Sequence, residues 1–226
     1  MKSEGGTDDA KRRAGESAAE LVEDGMVVGL GTGSTAAHAI RKLGRDASQG
    51  MNVHGIPTSY QSRQLARNVG IPLVTLDDAT PDLAIDGADQ VGDRVLVKGG
   101  GAAHAREKVV DENASRFVVV IDETKRTDAI DHPIPVEVLP DAVPAVERSL
   151  REQGGDPTLR SAERKDGPVI TDNGNPLLDC AFGTIDNPAE LAASLSTTPG
   201  IVEHGIFTHA DEIHIGTSRG VDVQPR

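Results

Sequence analysis

The chain has 226 residues, enough to bury a substantial core and to form one large domain with a small insert. It carries 23 Lys and Arg against 36 Asp and Glu, a formal net charge of −13, which disfavours nucleic acid as a partner because phosphate backbones select a basic face. No apolar run approaches the roughly 20 residues of a spanning helix, so no membrane association is expected. MKSEGGTDDAKRR lacks the apolar core of a secretory signal. Cys180, the single cysteine, permits no internal disulfide, and a cytoplasmic location is the expectation.

Aromatic residues make up 2% of the chain and Trp is absent. With the acidity, this composition resembles that of halophile proteins, whose self-repulsion is relieved by salt screening. Thermal unfolding is therefore expected to move upward from dilute buffer to molar KCl; equal melting in both would contradict the expectation.

In chain order, Asp9 to Asp24 reads as a helix, with Ala14, Ala18, Leu21 and Val22 on one stripe and Gly25 as its stop. MVVGL (26–30) reads as a buried strand, followed by a glycine-rich turn. Ser34 is placed to cap the helix STAAHAIRKLG, with Gly44 as its stop. VHGIP (53–57) predicts a strand and residues 58–70 a helix. PLVTL (72–76), DLAID (82–86) and RVLVK (94–98) predict three further strands, AAHAREKVVDENA (102–114) a helix, and FVVVID (117–122) a strand covered on both faces. Strands alternating with helices argue for a doubly wound, mostly parallel α/β sheet. After Asp131 the pattern becomes β-α-β-β-α-β, the split arrangement of ferredoxin-like folds: PVEVL (135–139), a helix over 141–154, PTLRSAE (157–163), NPLLDCAF (175–182), a helix over 187–198, and GIVEHGIF (200–207). Residues 132–206 are thus expected to form an inserted α+β domain. Residues 1–131 and 207–226 form the main one, with ADEIHIGTSRG (210–220) returning a strand to the first sheet.

Four stretches can carry chemistry. GLGTGST (29–35) joins a strand to a helix start, where free N–H groups and the positive dipole end favour an anion, and Thr32, Ser34 and Thr35 add hydroxyls. The spacing fits neither G-x-G-x-x-G nor the P-loop. IDGADQV (85–91) sets Asp86 and Asp89 at a strand end, where ligands of open α/β sheets bind. Two carboxylates there can orient sugar hydroxyls or move protons, although Asp-Gly alone reads as an Asx turn. KGGGAAHAREK (98–108) places Lys98 before Gly99, Gly100 and Gly101, with Glu107 in the helix that follows. A lysine can neutralise an enediolate and a glutamate can act as general base. By pattern alone, however, Glu107, near His104 and Asp111, reads as part of a solvated face. IDETKR (121–126) brings Lys125 to another strand end. All four junctions are expected at carboxyl ends of strands, on one rim. No H-E-x-x-H, cysteine cluster or G-x-S-x-G elbow occurs.

At these residues the sequence resembles type A ribose-5-phosphate isomerases. The resemblance runs along the whole chain through VGLGTGSTAAHAI, DGADQV, KGGGAAHAREK, ID-x-x-K, PVEV, VITDNGN, PGIVEHGIF and IGT-x-x-G. It implies interconversion of ribose 5-phosphate and ribulose 5-phosphate in the pentose phosphate network, without metal or organic cofactor. It also implies a Rossmann-like domain carrying a ferredoxin-like insert, and a homodimer or homotetramer. Glu107 falls on the family's proton-transferring glutamate. Substrate-binding loops fall on Thr32, Gly33, Ser34 and Thr35, on Asp86, Gly87, Ala88 and Asp89, and on Lys98, Gly99, Gly100 and Gly101, with Lys125 a further binding lysine. Lys11 matches a phosphate-contacting lysine. One departure is Gln90, where the family's acidic loop ends in Glu. Amino-sugar-phosphate deaminases and CoA transferases are the nearest rival activities. A sugar-phosphate-sensing regulator would need a DNA-binding helix-turn-helix, which the single helix before the first strand does not supply.

Overall fold

The computed structural model describes residues 6–93 and 95–226, arranged as two compact units. The larger comprises residues 6–88, 106–126 and 209–226, and the smaller residues 89–105 and 127–208. The division is drawn elsewhere than the sequence boundaries at 131 and 207, because residues 89–105 and 127–131 group with the ferredoxin-like part.

In the larger unit, α1 (Asp8–Ala19) is capped by Thr7, whose hydroxyl accepts from the Ala10 amide, and it stops short of the expected Asp24. The six-stranded sheet contains β1 (Val27–Leu30), β2 (His54–Pro57), β3 (Leu83–Gly87), β6 (Phe117–Asp122), β12 (Glu212–Gly216) and β13 (Val221–Pro225), in the order β13-β12-β6-β3-β1-β2. All neighbours are parallel except β13, which closes a hairpin with β12 that the sequence reading did not contain. From β2 to β12 the order is that of a doubly wound sheet whose direction of winding reverses between β1 and β3, the position where such sheets bind ligands. The expected strand at 72–76 is reduced to a single bridge, Gly55 to Leu73. There the Gly55 amide donates to the Pro72 carbonyl at 2.9 Å and the Val74 amide to the Gly55 carbonyl at 3.0 Å, so the segment meets the edge of β2 at one residue.

Helix α2 (Ser34–Ser48) runs through Gly44 instead of stopping there. A Cβ on Gly44 would lie 2.5 Å from the Cβ of Val69, so this glycine permits close approach of the segment after α3 (Tyr60–Asn68). Ser34 is the first helical residue of α2, and the cap position falls to Gly33, with φ of 110°. Alternation along β3 and β6 turns Leu83, Ile85, Val118 and Val120 into one core with α1 and α2.

A partly buried chain of polar contacts pins α1 to β12. Ser17 Oγ lies 2.9 Å from His214 Nδ1, and His214 Nε2 lies 2.5 Å from Glu212, which also accepts from Arg116. Burial pushes the Glu212 carboxyl upward, but hydrogen bonds from His214 and Arg116 outweigh it and hold the pKa below its ordinary 4.5. A depressed carboxylate contributes stability that is present above its unfolded pKa and lost as pH falls through the folded one. The melting temperature should therefore drop on acidification below pH about 4.5, and Glu212→Gln should flatten that part of the profile; an unchanged acid limb would contradict the assignment.

In the smaller unit, β7 (Ile134–Val138), α5 (Val143–Glu152), β8 (Asp156–Leu159), β9 (Leu177–Ala181), α6 (Pro188–Ser196) and β10 (Ile201–His204) follow the expected β-α-β-β-α-β order. They form an antiparallel sheet in the order β10-β7-β9-β8, the ferredoxin-like arrangement. Val136, Val138, Val146, Leu150, Leu178 and Cys180 fill its core. Burial, with Asp156 nearby, pushes the Cys180 thiol up to about 12 against the opposing charge of Arg151, so it packs as a small apolar residue. Glu137, fully buried in β7, explains two motifs together. Its carboxylate accepts from Thr171 Oγ1 at 3.0 Å, Asn173 Nδ2 at 3.1 Å and Asn175 Nδ2 at 2.7 Å, so PVEV holds the VITDNGN loop.

Two differences from the sequence reading matter for the site. First, GIVEHGIF is two strands, β10 and β11 (Ile206–Phe207), broken at Gly205, whose added Cβ would sit 2.2 Å from the Lys98 carbonyl oxygen. Second, the strand expected over 94–98 is β5 (Leu96–Val97); its first residue, Arg94, lies outside the described residues. Strand β5 pairs antiparallel with β11 and with β4 (Gln90–Val91), in a three-stranded sheet of its own. Lys98 therefore does not follow a strand of the large parallel sheet; the other three expected junctions follow its strands β1, β3 and β6.

Candidate active site

In the larger unit the turn after β1 is built around Asp86, which ends the buried run of β3. Asp86 is fully buried, and its Oδ1 accepts from the Thr32 amide at 2.8 Å and the Gly87 amide at 2.6 Å. Gly31 makes this possible: a Cβ there would lie 2.2 Å from Asp86 Oδ1. Gly31 thus serves the fit between two strand ends on either side of the winding reversal. Asp86 is more than an Asx turn, since it ties the β1 and β3 loops together.

Thr32 also joins a hydroxyl cluster. Its Oγ1 donates to Ser59 Oγ at 2.7 Å and lies 3.0 Å from Thr58 Oγ1. Ser59 caps α3 in a capping box with Ser62. Sequence reasoning missed Thr58 and Ser59 as neighbours of the turn; the S-x-x-S spacing in TSYQS was the available signal. Of the remaining turn residues, Ser34 is exposed and Thr35 buried, both in the first turn of α2. Ala88 is half-buried.

Helix α4 (His104–Asn113) carries Glu107. The solvated face expected around it is buried: His104, Glu107 and Asp111 are 0%, 3% and 1% exposed. These residues sit at helical spacing, so α4 turns a polar stripe inward, and polarity alone misread it as outward. A Cβ on Gly29 would meet Val110 Cγ1 at 2.8 Å and Ala84 Cβ at 3.0 Å, which places α4 against that face of the sheet. Asp86 lies two residues beyond Ala84, on the same face by strand alternation. Glu107 lies one turn before Val110, on the same stripe by helical spacing. The short link from α4 into the start of β6 sets the helix start toward the carboxyl edge. Asp86 and Glu107 are therefore both displaced toward that edge, on one side of the sheet. Lys125, in a single 3₁₀ turn (Glu123–Lys125) after β6, is half-buried, as is Lys11 in α1.

In the smaller unit Lys98 is 2% exposed, its Nζ 5.3 Å from the centre of the Phe207 ring, a cation–π distance. Its amide donates to the Gly205 carbonyl at 2.8 Å. Asp89 Oδ2 accepts from the Gly100 amide at 2.7 Å, and a Cβ on Gly100 would lie 2.6 Å from Asp89 Oδ1. Gly99 has φ of 108°, and the loop ends at Ala102 with φ of 59°, a left-handed conformation that costs a non-glycine residue about 1–2 kcal/mol. Gly99 and Gly100, which the resemblance places in a substrate-binding loop, thus have conformational and packing reasons as well. Gly101 is exposed. Gln90, the departure from the acidic loop, is a clamp: its Nε2 donates to Asp131 Oδ1 at 2.6 Å, and its Oε1 accepts from the Asp131 and His132 amides at 3.1 and 3.0 Å. A glutamate could not donate to Asp131, so the substitution fits its neighbours.

Among the described residues, no helix is long and apolar enough to cross a membrane, and no group of three or more His, Cys, Asp or Glu is placed to hold a metal ion.

Residues 54–220 match the family model for ribose 5-phosphate isomerase A (phosphoriboisomerase A). The chain is 65% identical to ribose-5-phosphate isomerase A of Natronomonas pharaonis over 99% of its own length and 100% of the relative's. It is 62% identical to that of Haloarcula marismortui over 98% and 97%. The ribose 5-phosphate isomerase A structure from Methanocaldococcus jannaschii superposes with a TM-score of 0.94 at 48% identity, covering 98% of this chain and 100% of that one. A D-ribose-5-phosphate isomerase in complex with phospho-erythronic acid superposes at 0.95 with 41% identity over 98% and 100%. With matches at this identity running end to end, the chain belongs to the ribose 5-phosphate isomerase A family.

Proposed function

We propose that this protein interconverts D-ribose 5-phosphate and D-ribulose 5-phosphate through an enediolate, as an aldose-ketose isomerase of the non-oxidative pentose phosphate pathway. The observation that carries the reading is Glu107, a carboxylate kept out of water on the side of the sheet that also buries Asp86. The relatives' shared activity supports it. So does the ligand named for one related structure, since phospho-erythronic acid pairs a planar carboxylate with a phosphorylated polyol chain, the charge pattern of a sugar-phosphate enediolate.

In this reading Asp86 assists ring opening by exchanging a proton with the sugar hydroxyl. Glu107 then removes the proton on C2 and returns one to C1. A single carboxyl serves both carbons because they are adjacent. The C1 oxygen gains a proton as the C2 hydroxyl loses one, and the negative charge that develops between them needs fixed donors. Lys98 and the amides of Gly99 and Gly101 take that role, while the Gly100 amide holds Asp89, which orients a hydroxyl. Thr32, Gly33, Ser34 and Thr35 offer hydroxyls and helix-start amides to the substrate, Gly87 and Ala88 complete the Asp86 loop, and Lys125 and Lys11 supply positive charge for the phosphate. The reaction draws on no metal or organic cofactor, and the protein works in the cytoplasm as a homodimer or homotetramer.

The test is a direct assay of the purified protein with ribose 5-phosphate, in parallel with glucosamine 6-phosphate and an acyl-CoA donor, with and without EDTA. Isomerisation of ribose 5-phosphate alone, insensitive to EDTA, is the expected result. Ammonia release, CoA transfer or loss of activity in EDTA would each favour a different enzyme.

A further inference from the structure

The loop after Lys98 is gripped by a residue that the reaction scheme above leaves out. Arg160 follows β8 in the smaller unit, and its side chain is 10% exposed. Its Nε donates to Asp179 Oδ2 at 2.8 Å and its Nη2 to Asp179 Oδ1, a two-pronged pairing that balances the charge of the guanidinium. The remaining nitrogen, Nη1, donates to the carbonyl oxygens of Gly99 at 3.0 Å and Gly100 at 3.3 Å. The backbone of Arg160 is fixed too: its amide donates to Leu177 O at 2.9 Å, and its carbonyl accepts from Val169 at 2.8 Å.

A peptide unit is a rigid plane with its C=O and N–H on opposite sides. Holding the Gly99 carbonyl sets the Gly100 N–H, which donates to Asp89. Holding the Gly100 carbonyl sets the Gly101 N–H, which must point away from Arg160. Positive charge on the two oxygens also polarises those peptides and strengthens their N–H groups as donors. Two glycines would otherwise leave this segment wide conformational freedom. Lysine could not replace the arrangement, because an ammonium is a point charge without the planar fork that meets a carboxylate and two carbonyls at once.

We infer that Arg160 is a positioning residue for the isomerisation: anchored on Asp179, it holds the Gly99 and Gly100 carbonyls so that the Gly100 amide stays on Asp89 and the Gly101 amide faces the enediolate. The inference rests on the proposed function. Arg160→Ala should lower kcat by about tenfold or more, the scale of a misplaced oxyanion donor, with KM little changed. Affinity for phospho-erythronic acid should fall in parallel, while affinity for inorganic phosphate should not. Arg160→Lys should recover little, and millimolar guanidinium should restore part of the Arg160→Ala rate.

Because Arg160→Ala strands the Asp179 carboxylate, the double variant Arg160→Met with Asp179→Leu removes both charges and keeps the packing. It should fold and show the same kcat deficit. A double variant with kcat and phospho-erythronic acid affinity within about twofold of the parent, well short of the loss of a donor, would overturn the inference while leaving the isomerase reading intact. A parent protein that does not isomerise ribose 5-phosphate would overturn both.

Discussion

Replacing Glu107 with Gln should lower kcat for ribose 5-phosphate isomerisation by about 10²–10⁴-fold, the range that a positioned general acid–base contributes. The substrate should still bind, because glutamine keeps the volume and hydrogen-bonding capacity of the side chain and removes only the ability to take a proton from carbon. Glu107 is 3% exposed on α4, so the variant exchanges a buried carboxylate for a neutral amide of the same size. Steady-state kinetics with a parallel measurement of phospho-erythronic acid binding checks both points. Turnover within about threefold of the parent would remove Glu107 from the proton-transfer role, since no general base is worth so little.

The second large effect is expected at Lys98. Lys98→Met keeps an unbranched chain of similar length in a site that is 2% exposed and faces the Phe207 ring. Methionine packs well against aromatic rings, so the fold should tolerate the change. Activity should fall, with kcat/KM down by about 10²–10³-fold, the loss typical of one oxyanion-stabilising donor. A folded variant that keeps the parent's kcat/KM would exclude Lys98 from the reaction.

What the sequence disclosed about the fold depended on which residues carried a regular period. FVVVID, with every residue buried, and the β-α-β-β-α-β order after Asp131 were legible because their apolar patterns match their elements. Glycine was the main source of error. Gly44 reads as a helix stop, yet it lies inside α2 because Val69 leaves no room for a side chain. Gly205 reads as an interior residue of one strand, yet it divides two strands that belong to different sheets. In both cases the reason is a contact with residues distant in sequence, which no local pattern contains.

The candidate site shows the same division. Asp86 and the glycines before it were visible as a strand-end motif, but their mutual fit, with Gly31 making room for the Asp86 carboxylate, was not. Polar spacing on α4 argued for a wet face around Glu107, and only the resemblance to known isomerases argued otherwise. His104, Glu107 and Asp111 are instead an inward polar stripe, in which hydrophobicity and burial part company. Arg160 read only as a residue of the expected strand PTLRSAE (157–163). Its contact with Gly99 and Gly100 joins residues about sixty positions apart and left no local signature.

The central claim is that a carboxylate moves a proton between adjacent carbons of a phosphorylated sugar. Incubating the protein with ribose 5-phosphate in D₂O, with no added metal or cofactor, and following both sugars by NMR tests it most directly. The account predicts that ribulose 5-phosphate forms and that deuterium enters at C1 of the product and C2 of the recovered substrate, with both signals lost in Glu107→Gln. Ribose 5-phosphate that stays unchanged, or conversion to equilibrium with no deuterium in either sugar, would contradict it.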